Sequence, residues 1–283
     1  MASFTNFATL SYNGGTTNSN IVTGEILEAL TAVKTAVSAN YSAGDRITYA
    51  LSLVNTGTAA VTDYTVTDNL GGYTVGANTV YPLAYNAGTV RYYINGVLQA
   101  APTVTAGPPL TVTGLTVPAG GSAVLIYETT ATPVAPLATG SSITNTATIT
   151  GDGLTNPITA QATVETANSA DLTISKALSP TTVTENGQIT YTFVISNTGN
   201  TEATATGNVV VTDTFAPILR NIAVTYNGTA WTEGTNYTYN AATGVFTTLA
   251  GQITVPAATF TQNTDGTFTV TPGTATLVIT GTV

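Results

Sequence analysis

The chain has 283 residues, 43% hydrophobic and only 7% charged, with five basic against 14 acidic side chains and a formal net charge of −9. So apolar a chain is not disordered, and five cations neutralise few phosphates, which argues against nucleic acid and anionic lipid surfaces as partners. It contains no cysteine and no histidine. Disulfides, thiolate sites, zinc sites and imidazole-based hydrolase triads are thereby excluded, and neither metal nor cofactor is expected.

The chain starts with "SFTNFATLSYNGG" (Ser3 to Gly15), and "SITNTATITGDG" (Ser142 to Gly153) repeats it. Ser3 aligns with Ser142, Asn6 with Asn145 and Ala8 with Ala147, while Phe4/Ile143 and Leu10/Ile149 keep the apolar positions. Both copies read as hairpins, the first turning at Asn13-Gly14 and the second at Gly151-Asp152-Gly153. Other repeats follow in the same order in both halves. "LTAVKTAVS" from Leu30 returns as "LTISKALSP" from Leu172, and "DRITYALSLVNTG" from Asp45 as "GQITYTFVISNTG" from Gly187. "YTVTDNL" from Tyr64 returns as "VVVTDTF" from Val209, and "VPAGGSAVLIYETT" from Val117 as "TPGTATLVITGT" from Thr271. Their period-two alternation predicts strands at sandwich spacing, and no segment has helical periodicity. No apolar run reaches the ~20 residues of a membrane span, and "MASFTNFA" lacks the pattern of a signal peptide.

The expected fold is therefore all-β: two tandem β-sandwiches, with an N-terminal donor hairpin over residues 1–28, a first sandwich over 29–167 and a second over 168–283. The second sandwich reaches "ATLVITGTV" without a final hairpin of its own, and the copy of that hairpin is the N-terminal one. The motifs resemble those of a family of tandem surface repeats in bacteria and archaea known as domain of unknown function number eleven. The shared pattern is a strand ending in Lys, then Gly-x-x-(Ile)-Thr-Tyr, Asn-Thr-Gly, Val-Thr-Asp and Thr-Asn-x-Ala-Thr. The resemblance implies an immunoglobulin-like fold and a surface location, and no particular ligand.

A sandwich lacking its last two strands exposes a core face and a sheet edge, which strand addition can cover. The N-terminal hairpin ends beside the first strand of the first sandwich, so reaching the second sandwich of its own chain would mean spanning a whole domain without a linker. Donation to the next subunit, through Phe4, Asn6, Ala8 and Leu10, generates a head-to-tail homopolymer instead. The alternative is a monomeric surface adhesin or glycan-binding module closed in cis. An enzyme acting on an external substrate has almost no support, and the Thr-rich, Lys-poor composition points to an extracellular place on a cell or spore surface.

The only two lysines, Lys34 and Lys176, occupy equivalent positions, each on the face of its strand that also carries leucine. Asp68 and Asp213 share a face with apolar neighbours in the "VTD" strands, as Asn145 and Asn6 do in the hairpins. Three polar groups on an apolar face need a reason. One reading is a buried Lys–Asp ion pair with Asn as hydrogen-bond support. The other is a spontaneous Lys–Asn isopeptide bond, Lys34 to Asn145 and Lys176 to Asn6, with Asp68 and Asp213 as assisting acids. Burial favours a neutral, nucleophilic amine and a protonated carboxyl that can polarise the carboxamide. Glu25 and Glu165 are the fallback acids. The Asn227 and Asn236 sequons and the tyrosines of "VRYYING" are read as turn and strand residues before glycan sites.

Overall fold

The computed structural model describes residues 2–26, 29–151, 154 and 156–283. The protein is all-β, and the one helical element among the described residues is a 3-10 turn, Ala205–Gly207. The chain divides into two compact units, residues 1–135 with 142–165, and residues 136–141 with 166–283. Segment 136–141, assigned from sequence to the first sandwich, thus belongs with the second. Asn200 holds it there, donating to Leu137 O at 2.9 Å and accepting at its own carbonyl from the Thr139 hydroxyl at 2.6 Å.

The first unit contains two six-stranded sheets. One runs in the order Val97–Leu98, Arg91–Ile94, Ser122–Ala131, Arg46–Asn55, Leu30–Ala36, with Leu83–Tyr85 also pairing with Ser122–Ala131. The other runs Thr103–Thr105, Leu110–Val117, Val61–Asp68, Ser142–Thr150, Ile158–Thr166, Asn40–Tyr41. Alternation does the sorting. In Arg46–Asn55 every second residue from Ile47 to Leu53 is buried, and Ser122–Ala131 buries Ala123, Leu125 and Tyr127 in the same rhythm. Facing them are Tyr64, Val66, Ile143, Ala147, Ile149 and Val164, each large aliphatic or aromatic side chain stabilising the core by about 1.5–3 kcal/mol.

The second unit has a five-stranded sheet in the order Leu172–Ser179, Gln188–Asn197, Gly273–Thr282, Arg220–Tyr226, Thr229–Trp231. Opposite lies a three-stranded sheet, Thr212–Thr214, Val245–Thr248, Tyr237–Asn240, and Thr259–Gln262 forms a separate pair with Phe268–Thr271. Its core gathers Tyr191, Phe193, Phe215, Phe246, Leu277 and Ile279, with the Tyr191 and Phe215 rings 4.9 Å apart.

The repeated Asn-Thr-Gly closes a loop in each unit. Asn55 donates to the carbonyls of Ala59, Val117 and Pro118 and accepts from Gly57 N. Asn197 donates to Thr201 O and Pro256 O and accepts from Gly199 N and Asp171 N. A side chain at Gly199 would begin 2.2 Å from Ser169 O, so only glycine fits under this loop.

The N-terminal segment forms a bulged hairpin. Ala2–Asn6 pairs with Val22–Ile26, and Thr9–Tyr12 with Gly15–Asn18 around the Asn13-Gly14 turn. From Ser3 to Asn6, before the bulge, its register copies that of the hairpin inside the first unit. Ser3 faces Glu25 as Ser142 faces Glu165, Phe4 faces Gly24 as Ile143 faces Val164, and Asn6 faces Val22 as Asn145 faces Ala162. Unlike that hairpin, it is exposed from Phe4 to Thr23, and among the described residues its strands pair only with each other.

Candidate functional site

Lys34 lies on Leu30–Ala36, the edge strand of its sheet, and is buried because alternation turns it to the same side as Leu30. Its ammonium lies 2.6 Å from Asp68 Oδ2, and the two side chains are 0% and 1% exposed. Asp68 Oδ2 also accepts a hydrogen bond from the Tyr127 hydroxyl, and Oδ1 accepts from Leu70 N at 2.8 Å. Tyr49 and Tyr127 are cross-strand partners with stacked rings 5.9 Å apart, and Lys34 Nζ is 4.8 Å and 5.8 Å from their centroids. Burial pulls Lys34 down to about 8, with Asp68 acting in the opposite sense.

Asn145 is on Ser142–Thr150, two residues before Ala147, which pairs with Asp68. It is fully buried, and neither Nδ2 nor Oδ1 has a hydrogen-bond partner. The Tyr49 hydroxyl is equally buried and partnerless. Burial pushes the Tyr49 and Tyr127 phenols well above their ordinary range, and the Asn145 carboxamide beside them is a smaller influence in the other direction. The first unit therefore brings Lys34, Asp68 and Asn145 into one dry cluster and adds two tyrosines. Glu165 is not part of it: alternation along Ile158–Thr166 turns Val164 and Thr166 inward and leaves Glu165 exposed. The side chain of Glu25 lies outside the described residues.

The second unit repeats half of this arrangement. Lys176 pairs with Phe193 across the strands as Lys34 pairs with Leu51. Lys176 Nζ bonds Asp213 Oδ2 and lies 4.5 Å, 5.4 Å and 5.5 Å from the ring centroids of Tyr191, Phe193 and Phe215. Here, however, the lysine and aspartate side chains are 41% and 18% exposed. The difference is one of strands. Val61–Asp68 has a neighbour on each edge, Leu110–Val117 and Ser142–Thr150, whereas Thr212–Thr214 pairs only with Val245–Thr248. Leu172–Ser179 is consequently open to solvent almost throughout, with Ile174 56% exposed. Asn6, Phe4, Ala8 and Leu10 are all exposed on the hairpin, so the second site has no asparagine gathered at it.

Tyr127 and the role of Tyr49 escaped the sequence reading. Tyr49 was visible as a repeated residue, matched by Tyr191, but only as a strand marker. Tyr127 pairs with Tyr49 where Ile279 pairs with Tyr191, so comparing the repeats hides it. The glycan features resolve into packing. Tyr92 is buried with its hydroxyl on the backbone of Thr116, Asn227 Oδ1 accepts from Thr276 N, and Asn236 Nδ2 donates to Gln252.

No family model matches the chain, so the surface-repeat resemblance stands on its quoted motifs, and no curated protein is similar to it. Among solved structures, BcpA, the major pilin subunit of Bacillus cereus, is 15% identical over 96% of this chain and 73% of its own, with a TM-score of 0.36. The pilus backbone protein RrgB of Streptococcus pneumoniae is 14% identical over 86% and 55%, with a TM-score of 0.36. The N-terminal domain of the Streptococcus gordonii adhesin Sgo0707 is 14% identical over 52% of this chain, which spans 34% of that one, with a TM-score of 0.36. Likenesses of this degree carry no argument about function.

Proposed function

We propose that this chain is the structural subunit of an extracellular, pilus-like filament on a cell or spore surface, polymerising head-to-tail by donating its N-terminal hairpin to the second unit of a neighbouring copy. One observation carries the reading. The edge that is closed in the first unit by Ser142–Thr150 and Ile158–Thr166 is open in the second, while a hairpin with the same register stands exposed on the same chain. Docked in that register, Phe4 and Asn6 take the positions of Ile143 and Asn145, and Asn6 meets Lys176 and Asp213. Donation of this kind is heterologous and propagates into a fibre.

The same reading gives the polar cluster its chemistry. In an ion pair supported by asparagine, the Asn145 carboxamide would be hydrogen-bonded, yet both of its polar atoms are buried and unpaired, at about 1–3 kcal/mol each. An isopeptide bond removes the Nδ2 share of that cost, because Nδ2 departs as ammonia and its place is taken by Lys34 Nζ. The bond is intramolecular in the first unit, Lys34 to Asn145, and links subunits in the second, Lys176 to Asn6. No external substrate is turned over, and the only reaction is of the protein with itself.

Negative-stain imaging and size-exclusion chromatography of the full chain test the reading, beside a truncation lacking residues 1–28. The full chain forms fibres. The truncation stays soluble and monomeric, and it binds a synthetic peptide spanning residues 2–28. A full-length protein that runs as a compact single chain would indicate closure in cis, and unaltered fibres from the truncation would rule out donation.

A further inference from the structure

Among the described residues, five buried side-chain polar atoms lack a hydrogen-bond partner, and three of them belong to one cluster: Tyr49 Oη, Asn145 Nδ2 and Asn145 Oδ1. Each unpaired group in a dry core is unfavourable, so three together call for a common cause. Tyr49 makes no hydrogen bond to Asp68, which accepts from Lys34, Tyr127 and Leu70 N. Its hydroxyl is instead beside the Asn145 carboxamide.

Resting on the cross-linking reading above, we infer that Tyr49 is a catalytic residue of that reaction, its hydroxyl donating to the oxyanion that forms on Asn145 Oδ1. The roles divide as follows. Asp68 takes a proton from the Lys34 ammonium. The free amine attacks Asn145 Cγ, and the carbonyl electron pair moves onto Oδ1. A buried donor already beside the carboxamide has little reorganisation to undergo when that charge appears, which is the requirement for transition-state stabilisation. The pair then returns to carbon, the Cγ–Nδ2 bond breaks, and Nδ2 leaves as ammonia carrying a proton delivered through Asp68. Ammonium, carboxylate and carboxamide become a secondary amide, ammonia and a protonated Asp68, so protons and charge balance. Tyr49 only lends a hydrogen bond. Tyr127 has a different task, holding Asp68 in place. Only the first of these tyrosines has a counterpart in the second unit: Tyr191 stands at the position of Tyr49, Ile279 at that of Tyr127.

The test uses full-length chain recovered unfolded, and so unreacted, from inclusion bodies, then refolded and sampled with time by intact mass and by mapping of the Lys34–Asn145 linked peptide. Tyr49→Phe is compared with Tyr64→Phe, which removes another buried, partnerless hydroxyl, one that faces Tyr92. Wild type and Tyr64→Phe lose ammonia at the same rate. Tyr49→Phe does so about 10²–10³-fold more slowly, the usual effect of deleting one oxyanion donor. In an Asn145→Ala background, where no bond can form, Tyr49→Phe leaves the melting temperature unchanged or higher, because the hydroxyl has no partner to lose. Equal rates for Tyr49→Phe and wild type would overturn the inference while leaving the bond intact. A wild type that never loses ammonia would overturn the cross-linking reading itself and this inference with it.

Discussion

Two lysines at equivalent positions meet opposite environments, and that contrast sets what each can do. Lys34 is sealed against tyrosine rings with Asp68 as its one ionic partner among the described residues, and burial brings it to about 8. The consequence for stability has a definite sign. In Asn145→Ala, which keeps the ion pair but cannot cross-link, the unfolded chain holds the lysine proton up to about 10.5 while the folded one releases it near 8. Between those values the unfolded state binds more protons, so stability rises with pH by an amount on the order of 1–3 kcal/mol. The rise ends near pH 10, where unfolded tyrosines ionise but Tyr49, Tyr64 and Tyr127, pushed up by burial, do not. Calorimetry of this variant should find the transition of the first unit higher at pH 9.5 than at pH 7. A transition that falls over that interval would mean that Lys34 is not desolvated as described.

At the scale of elements, the N-terminal hairpin, proposed above as the donor, differs from the hairpin of the first unit in how it fills space. In the first unit Ile143 faces Val164. In the N-terminal hairpin Phe4 faces Gly24, and a Cβ at Gly24 would fall 2.4 Å from the ring. The aromatic ring occupies the room the glycine leaves, so Gly24→Val displaces Phe4 from the face that docks. Overpacking of this kind costs about 1–3 kcal/mol, which raises the concentration needed for polymerisation roughly tenfold or more. Sedimentation at graded protein concentrations measures it, and an unchanged threshold would show that Phe4 is not seated in the acceptor. Much of this architecture was legible beforehand, because the strands at Arg46–Asn55, Ser142–Thr150 and Gln188–Asn197 alternate strictly and lysine is too scarce to align by accident. The small sheets, such as Thr259–Gln262 with Phe268–Thr271, were not, since threonine-rich segments exposed on both faces carry no period. Nor was the grouping of 136–141 with the second unit, which rests on hydrogen bonds from Asn200 and Thr166 rather than on any pattern. The cluster was legible in its charged members, which stand out against apolar neighbours. Its tyrosines were not, because an aromatic on a strand looks the same whether it packs or donates.

For the whole molecule, the difference in exposure between the two sites would order the proposed assembly in time. Lys176 remains wetted while its edge is open, and an ammonium in contact with water is a poor nucleophile. Docking of the hairpin would cover it as Ser142–Thr150 covers Lys34, so the strand that brings Asn6 would also dry the amine proposed to attack it. Non-covalent fibres should therefore appear first and become covalent afterwards. Boiled in denaturant, young fibres should release monomer and aged ones a ladder of multiples, with the Asn6 peptide joined to the Lys176 peptide. Asn6→Ala should still polymerise, since the apolar contacts and strand pairing that drive docking survive, but its fibres should return to monomer on boiling at any age. Lys176→Arg should behave likewise, because guanidinium keeps the charge and cannot yield a free amine. Wild-type fibres that boil to clean monomer however long they stand would leave strand donation in place and reduce Lys176 and Asp213 to an ion pair lining the groove.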